Sequence, residues 1–427
     1  MPALLFALLI AAPADTLELD LDAALRVALD GSPVRTEVSV SRTKSGSSLA
    51  RGVTGLLPSV SATLGYSKSS SVLPESLRVG DDWNWTGTLS VNQVVFDPTV
   101  FAGVATGIVN SGYYAADARD KAARLVYDVT TDYLGLLKAD LLREAAARSL
   151  ARAEQNLKVV REKKRLGSAS DIDLMQSEVQ QSQAAIELLA ADKTLAVAQE
   201  QFKATAGIEE EVAVRATEEL DEPAGFEVSD PDSLVADIER RNPGARIADK
   251  AGAAAAWNTA AAVGRALPSV NAFWSTSYAD TTFPTSAGHW DDHDAASYGI
   301  RASFPLLDLK SYVLGIVDAS AESRRARAAA RRARLQLRSG AVAAVLGYEE
   351  ARKRHLSAER NLDLNEKLHE LAVDQHRLGN ISLLEFLSVE ANLAAASASH
   401  ISALCDTYIQ AANIGYLLGE TEPLEGE

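Results

Sequence analysis

Residues 57–66 read Leu57-Pro58-Ser59-Val60-Ser61-Ala62-Thr63-Leu64-Gly65-Tyr66, and residues 267–278 read LPSVNAFWSTSY. Each begins with the same Leu-Pro-Ser-Val corner, 210 positions apart (267 − 57). Behind each corner the hydropathy period becomes two, the period of a strand with unlike faces. In the first stretch Val60, Ala62, Leu64 and Tyr66 alternate with Ser61, Thr63 and Gly65. A second alternating run follows in each case. Trp83, Trp85, Gly87, Leu89 and Val91 alternate with Asn84, Thr86, Thr88, Ser90 and Asn92. Tyr298, Ile300, Ala302 and Phe304 alternate with Ser297, Gly299, Arg301 and Ser303. The pattern predicts four strands, at about 58–69, 83–96, 268–279 and 295–306. Each is about ten residues long, the length that crosses a bilayer when tilted. One face is apolar with Trp and Tyr near its ends, and the other is small and polar. That fits lipid on one side and water on the other.

Outward from the corners the duplication continues. Ser32-Pro33 matches Asn242-Pro243, Arg165-Leu166-Gly167 matches Arg377-Leu378-Gly379, and Gly207 matches Gly419. Such ordered landmarks define two copies of one unit. The predicted organisation is a signal peptide at 1–14, a first repeat at 15–207, an acidic connector at 208–230, a second repeat at 231–420 and a tail at 421–427. Residues 1–14 are apolar and end in Ala12-Pro13-Ala14, the form of an export cleavage site. The connector carries Glu209, Glu210, Glu211, Glu218, Glu219, Asp221 and Glu222 and reads as a solvated joint.

Each repeat opens with a short amphipathic helix (Leu21, Leu25, Ala28, Leu29; then Leu234, Ile238). An Ala/Ser-rich helix runs on to the corner. After the strands, helix resumes at Asp97-Pro98 and near Asp308, where an aspartate caps and a proline suits the first turn. The predicted helical hairpins cover 98–206 and 309–418, turning at Gly167 and Gly379. Ile172, Met175, Val179, Ser182, Ile186 and Leu189 follow a heptad, as do Leu364, Leu368, Leu371, Gln375 and Leu378. This is coiled-coil spacing. The expected fold is mainly α, with long coiled-coil hairpins and four strands per chain. Four strands leave two open edges, which lipid does not tolerate, so other copies of the chain must close the barrel.

The chain has 427 residues, of which 42 are Lys or Arg and 58 are Asp or Glu, for a net charge of −16. That balance excludes a nucleic-acid binder. With one cysteine (Cys405), no disulfide forms within a chain and no Cys-rich zinc site can be built. No phosphate loop, nucleophile elbow or HExxH motif is present, so no enzymatic role and no cofactor is expected. His289, Asp291, Asp292, His293 and Asp294 read as solvated loop residues rather than a metal site. Arg324, Arg325, Arg327, Arg331, Arg332, Arg334 and Arg338 read as a solvated or ion-paired stripe.

The ensemble resembles the TolC-like outer membrane efflux protein family across about residues 17–420. The resemblance rests on the duplicated order, the corners, and the turns Lys164-Arg165-Leu166-Gly167-Ser168 and His376-Arg377-Leu378-Gly379-Asn380. Each turn leads into an acid-bearing helix start, at Ser170-Asp171-Ile172-Asp173 and Ser382-Leu383-Leu384-Glu385. The resemblance implies a homotrimer in the outer membrane of a Gram-negative bacterium. Its 12-stranded barrel would stand above a periplasmic helical tunnel. It implies a passive duct of a tripartite efflux or type I secretion system, working with a periplasmic adaptor and an inner-membrane pump. The alternative is a periplasmic coiled-coil structural or adaptor protein without a barrel.

The resemblance also assigns residues. Asp173 and Glu385 would face the narrow periplasmic entrance as carboxylate rings, with His376 helping to hold it shut. The competing reading makes them exposed turn residues favoured by the helix dipole. Ser388 stands where many relatives carry a second acid. Arg165, Leu166, Gly167, Arg377, Leu378 and Gly379 become adaptor-contact tips, against a plain helix-ending role.

Overall fold

The computed structural model describes residues 16–68, 83–209, 212–217, 220, 230–280, 283, 294–304 and 309–421. The expected signal peptide, the caps at Asp308 and the loop histidines lie outside them. The chain divides into two compact units. One comprises residues 1–40, 117–244 and 334–427, and the other residues 41–116 and 245–333.

The second unit holds the sheet. Strands β2 (Ser59–Lys68), β3 (Trp83–Phe96), β5 (Ser269–Asp280) and β6 (Asp294–Ser303) pair antiparallel in the order β2-β3-β5-β6. All four lie within two residues of the ranges expected from the alternation, apart from the β6 end. The register puts Val60, Val91, Trp274 and Tyr298 in one cross-strand row. Ala62, Leu89 and Thr276 form the next row, and Leu64, Gly87 and Tyr278 the one after. These rows share the apolar face. The opposite face carries the row Ser61, Ser90, Ser275 and Ser297. Its outer pairs hydrogen-bond through their hydroxyls, at 2.8 Å for Ser61–Ser90 and 2.9 Å for Ser275–Ser297. Tyr298 is 82% exposed and Ile300 74% exposed on β6, and Val60, Leu64 and Tyr66 are exposed on β2. Both edge strands therefore present apolar side chains that remain exposed among the described residues.

Helix packing beside the sheet uses small residues. Within this unit Gly52 of α2 (Pro33–Thr54) meets Gly107 of α3 (Pro98–Arg165) backbone to backbone. A Cβ at Gly107 would stand 2.9 Å from the Gly52 Cα. Asp97 caps α3 as expected, accepting from the Thr99 amide at 2.8 Å and from its hydroxyl at 2.7 Å.

The first unit contains the amphipathic helices α1 (Leu21–Gly31) and α5 (Pro231–Arg241), capped by Asp20 and Asp230. It also contains α4 (Asp171–Ala206) and α8 (Leu383–Leu418). The remainder comes from α3 and from α7 (Leu309–Leu378). Its main core joins Leu25, Ala28, Val129, Tyr133, Leu134, Phe202 and Val214. A second, around Ile238, Val345, Tyr348 and Ile414, belongs to the other repeat.

One expectation needs correction. Residues 212–217, the described middle of the expected connector at 208–230, are not simply a solvated joint. Residues 213–216 form strand β4 (Ala213–Ala216), parallel to β1 (Thr16–Leu19). Val214 and Ala216 are buried, and the Tyr133 hydroxyl donates to the Leu19 carbonyl at 3.1 Å. Burial of these apolar groups holds this stretch against β1.

The heptad residues on α4 face outward. Ile172, Met175, Val179, Ile186 and Leu189 are all exposed, whereas Ser177, Ala184, Phe202 and Ala206 are its buried residues. On α7, Leu335, Leu346, Leu364, Leu368 and Leu371 are likewise exposed. Apolar stripes at coiled-coil spacing thus lie on the outside of the protomer.

Candidate functional site: the two hairpin tips

Both hairpins stop by the same device. Gly167 and Gly379 adopt φ of 75° and 79°, a left-handed conformation that costs glycine little. The Ser168 amide donates to the Lys163 carbonyl at 2.8 Å, and the Asn380 amide to the Gln375 carbonyl at 2.9 Å. These six-to-one bonds are the Schellman closure of a helix.

The following helices start differently. Ser170 and Asp173 form a reciprocal capping box on α4. The Asp173 carboxylate accepts from the Ser170 amide and from its hydroxyl, each at 2.8 Å. These bonds hold its pKa below the usual carboxylate value. On α8 the Ser382 hydroxyl accepts from the Glu385 amide at 3.2 Å. The Glu385 carboxylate is exposed and makes no hydrogen bond among the described residues. So the two acids, equivalent in the repeat, differ in freedom. Asp173 is tied to its own helix start, and Glu385 can act on solvent or on a solute.

His376 lies flat on Phe386, with ring centroids 4.9 Å apart and planes 17° apart. Its nitrogens are shielded from solvent, and among the described residues no side chain bonds to them, Asp173 included. Burial, and then the Lys163 charge, lower its pKa from the ordinary value of 6.5. A backbone contact at Ile381, and then the Asp173 charge, oppose them. A histidine kept neutral by folding contributes full stability above its unfolded value. That contribution is lost progressively as pH falls from 6.5 toward the depressed folded value. Acidification from pH 7.5 to 5.5 is therefore expected to lower the amide protection factors over residues 376–386, that is, exchange corrected for its pH-dependent intrinsic rate. His376→Phe, which keeps the stack, is expected to abolish that loss of protection. An unchanged pH response in His376→Phe would remove the histidine from this role.

The tips meet through one apolar cluster. Val160 of the first hairpin packs with Ala372, Leu383, Phe386 and Leu387 of the second, with Ala169, Leu174 and Ile381 at its margin. Leu166 and Leu378 are excluded from it. They are 71% and 67% exposed. Among the described residues the arginines before them bond within their own helices, Arg165 to Glu162 at 3.0 Å and Arg377 to Asp374 at 3.1 Å. Each tip thus shows an uncovered leucine beside a paired, exposed guanidinium.

Sequence reasoning missed Phe386 and Glu390. The Glu390 carboxylate is buried, 3.2 Å from His369 Nε2 and 3.8 Å from Arg152 Nε. No local pattern marks this three-helix contact. The Ser170-to-Asp173 spacing, in contrast, was a readable capping-box signal. Cys405 is fully buried, and burial pushes its thiol up to about 11, which fits packing rather than reactivity. No group of metal ligands exists among the described residues.

No protein-family profile matches the chain, and no curated protein sequence does. Solved structures do. The Campylobacter jejuni CmeC outer membrane channel superposes with a TM-score of 0.79 at 13% identity, over 94% of this chain and 86% of that one. The outer membrane protein VceC of Vibrio cholerae gives 0.75 at 16% identity, over 93% and 96%. The open state of the Neisseria gonorrhoeae MtrE outer membrane channel gives 0.74 at 15% identity, over 94% and 89%. With duplicated hairpins, a four-stranded sheet and these superpositions over nearly its whole length, the chain has the TolC-like outer membrane channel fold.

Proposed function

We propose that this protein is an outer-membrane duct that works as a homotrimer. The observation that carries the reading is the four-stranded sheet, whose edge strands expose Val60, Leu64, Tyr298 and Ile300 and, among the described residues, pair on one side alone. Unpaired strand edges cost several kcal/mol per group in hydrocarbon, so the sheet needs neighbours on both sides. Three copies supply twelve strands, and the exposed heptad stripes of α4 and α7 become contacts between protomers. In this reading the chain has no enzymatic activity. It serves an efflux or type I secretion system, and an adaptor and an inner-membrane pump supply energy and the opening signal.

Cross-linking in mild detergent is expected to give a trimer ladder, in outer-membrane fractions and with heat-modifiable mobility. A detergent-stable monomer with intact strands would overturn the reading.

The tips then form the periplasmic entrance. The free carboxylate of Glu385, repeated three times, favours cations there, while Asp173 and His376 hold the shape of the closed end. Glu385→Gln is expected to lower the cation-to-anion permeability ratio in planar bilayers without lowering trimer yield. An unchanged ratio would take Glu385 out of the ring.

A further inference from the structure

The polar face of the sheet is nearly free of charge. By the register, its described residues run Ser59, Ser61, Thr63, Gly65 and Ser67 on β2, and Asn84 to Val94 at alternate positions on β3. They continue from Ser269 to Ala279 on β5 and from Ala295 to Ser303 on β6. Among them one ionised side chain occurs, Arg301. The apolar face carries its charges at strand ends beside loops, at Lys68, Asp280 and Asp294.

Arg301 is held in place. It pairs across the strands with Asn271, two residues into β5, near the end of the sheet where strands join helices. Its guanidinium carbon lies 4.7 Å from the centre of the Phe273 ring, a cation–π contact. Phe273 faces Gly299, where a Cβ would come within 3.5 Å of the ring. The glycine leaves room for the phenyl to lie across toward Arg301. Among the described residues Arg301 forms no ion pair and no hydrogen bond, and it is exposed. Its charge therefore acts on the space above the polar face, with only hydroxyls, amides and small groups around it.

We infer that Arg301, braced on Phe273, makes the barrel lumen select for anionic solutes. The inference rests on the duct reading above, in which the polar face lines the lumen and each protomer contributes one Arg301. A guanidinium presents a fork of donors suited to carboxylate and phosphate oxygens. No fixed carboxylate stands on the described polar face to cancel it. Among the described residues, the hydroxyl lining leaves the fixed charge of the barrel section to Arg301, apart from the Glu385 carboxylates at the hairpin tips.

The test is single-channel recording of the full-length protein in planar bilayers. In a dilute KCl gradient, Arg301→Gln is expected to lower the chloride-to-potassium permeability ratio by about threefold or more. The difference should vanish near 1 M salt, where the Debye length is about 3 Å. Arg301→Lys, which keeps the charge and weakens the stack, should retain the wild-type ratio. In wild type, citrate should interrupt the current, and Arg301→Gln should be insensitive to it. Channel steps in wild type that citrate does not affect would overturn the inference and leave the duct intact. So would an Arg301→Gln ratio equal to that of wild type. A wild-type protein that gives no channel steps would overturn the duct reading, and this inference with it.

Discussion

Leu166→Asp combined with Leu378→Asp is expected to leave a folded trimer in the outer membrane and to reduce transport to background. Folding should survive because neither leucine is packed. Both side chains are largely exposed, and the apolar cluster that joins the tips does not include them. Exposed substitutions of this kind usually change stability by about 0.5 kcal/mol or less. Transport should fail because a docked leucine contributes roughly 1.5–3 kcal/mol when its surface is removed from water. Two leucines per protomer, repeated by symmetry, would supply the apolar centre of an adaptor contact, with Arg165 and Arg377 at its rim. Helix termination does not need them. The glycines and their backbone bonds close both helices regardless of the residue before. The measurement pairs trimer yield and adaptor cross-linking with export of a reporter substrate. Normal cross-linking and normal export in the double variant would refute the docking role. Loss of trimer would show instead that the leucines are buried between protomers.

The strands and hairpins were legible because their signals are local and repeated. Ser61, Thr63 and Gly65 alternate with Ala62, Leu64 and Tyr66, and the observed register keeps each set on one face. Asp97-Pro98 announced a helix start that Asp97 in fact caps. The β1–β4 pair was not legible. Each strand has four residues, with Glu18 and Arg215 inside them, and the pairing is parallel between segments about 200 residues apart. Nothing in either segment names the other. The heptads were legible as coiled-coil positions, but a period does not say which helix covers it. Ile186 and Leu189 stay exposed among the described residues. At the tips the equivalence of Asp173 and Glu385 in sequence concealed a difference in chemistry. Ser170 engages the shorter side chain in a closed capping box, while no such reciprocal bond forms at Glu385. His376 found an aromatic face rather than a carboxylate, and Phe386 had given no sign of being its partner.

Gly207→Ala is expected to be the most destabilising single methyl addition among the four left-handed glycines of the described residues. Gly167, Gly207, Gly379 and Gly419 all have φ between 72° and 79°. An alanine in that backbone region costs about 1 kcal/mol relative to glycine at each of them. Their surroundings differ. At Gly167 and Gly379 an added Cβ meets nothing within 4 Å. At Gly419 it would stand 2.8 Å from the Pro243 ring, which is a side chain. At Gly207 it would stand 2.3 Å from the Gly31 carbonyl oxygen and 2.5 Å from its carbon. Main chain cannot swing aside there, because Gly31 ends α1 and the Ser32 amide is bonded to the Ala28 carbonyl at 2.9 Å. The methyl must therefore separate the end of α1 from the end of α4, beside the core built on Ala28, Phe202 and Ala206. We expect a loss of about 3 kcal/mol or more for Gly207→Ala, against about 1 kcal/mol for Gly167→Ala. Helix melting of the detergent-solubilised trimer, followed at one scan rate for all variants, should order the midpoints as Gly207→Ala lowest, Gly419→Ala next, and the two tip variants nearest wild type. The tip variants measure the cost of the left-handed backbone alone. Equal midpoints for Gly207→Ala and Gly167→Ala would show that the approach of Gly31 to Gly207 yields to a methyl group, and the argument from close backbone contact would fail.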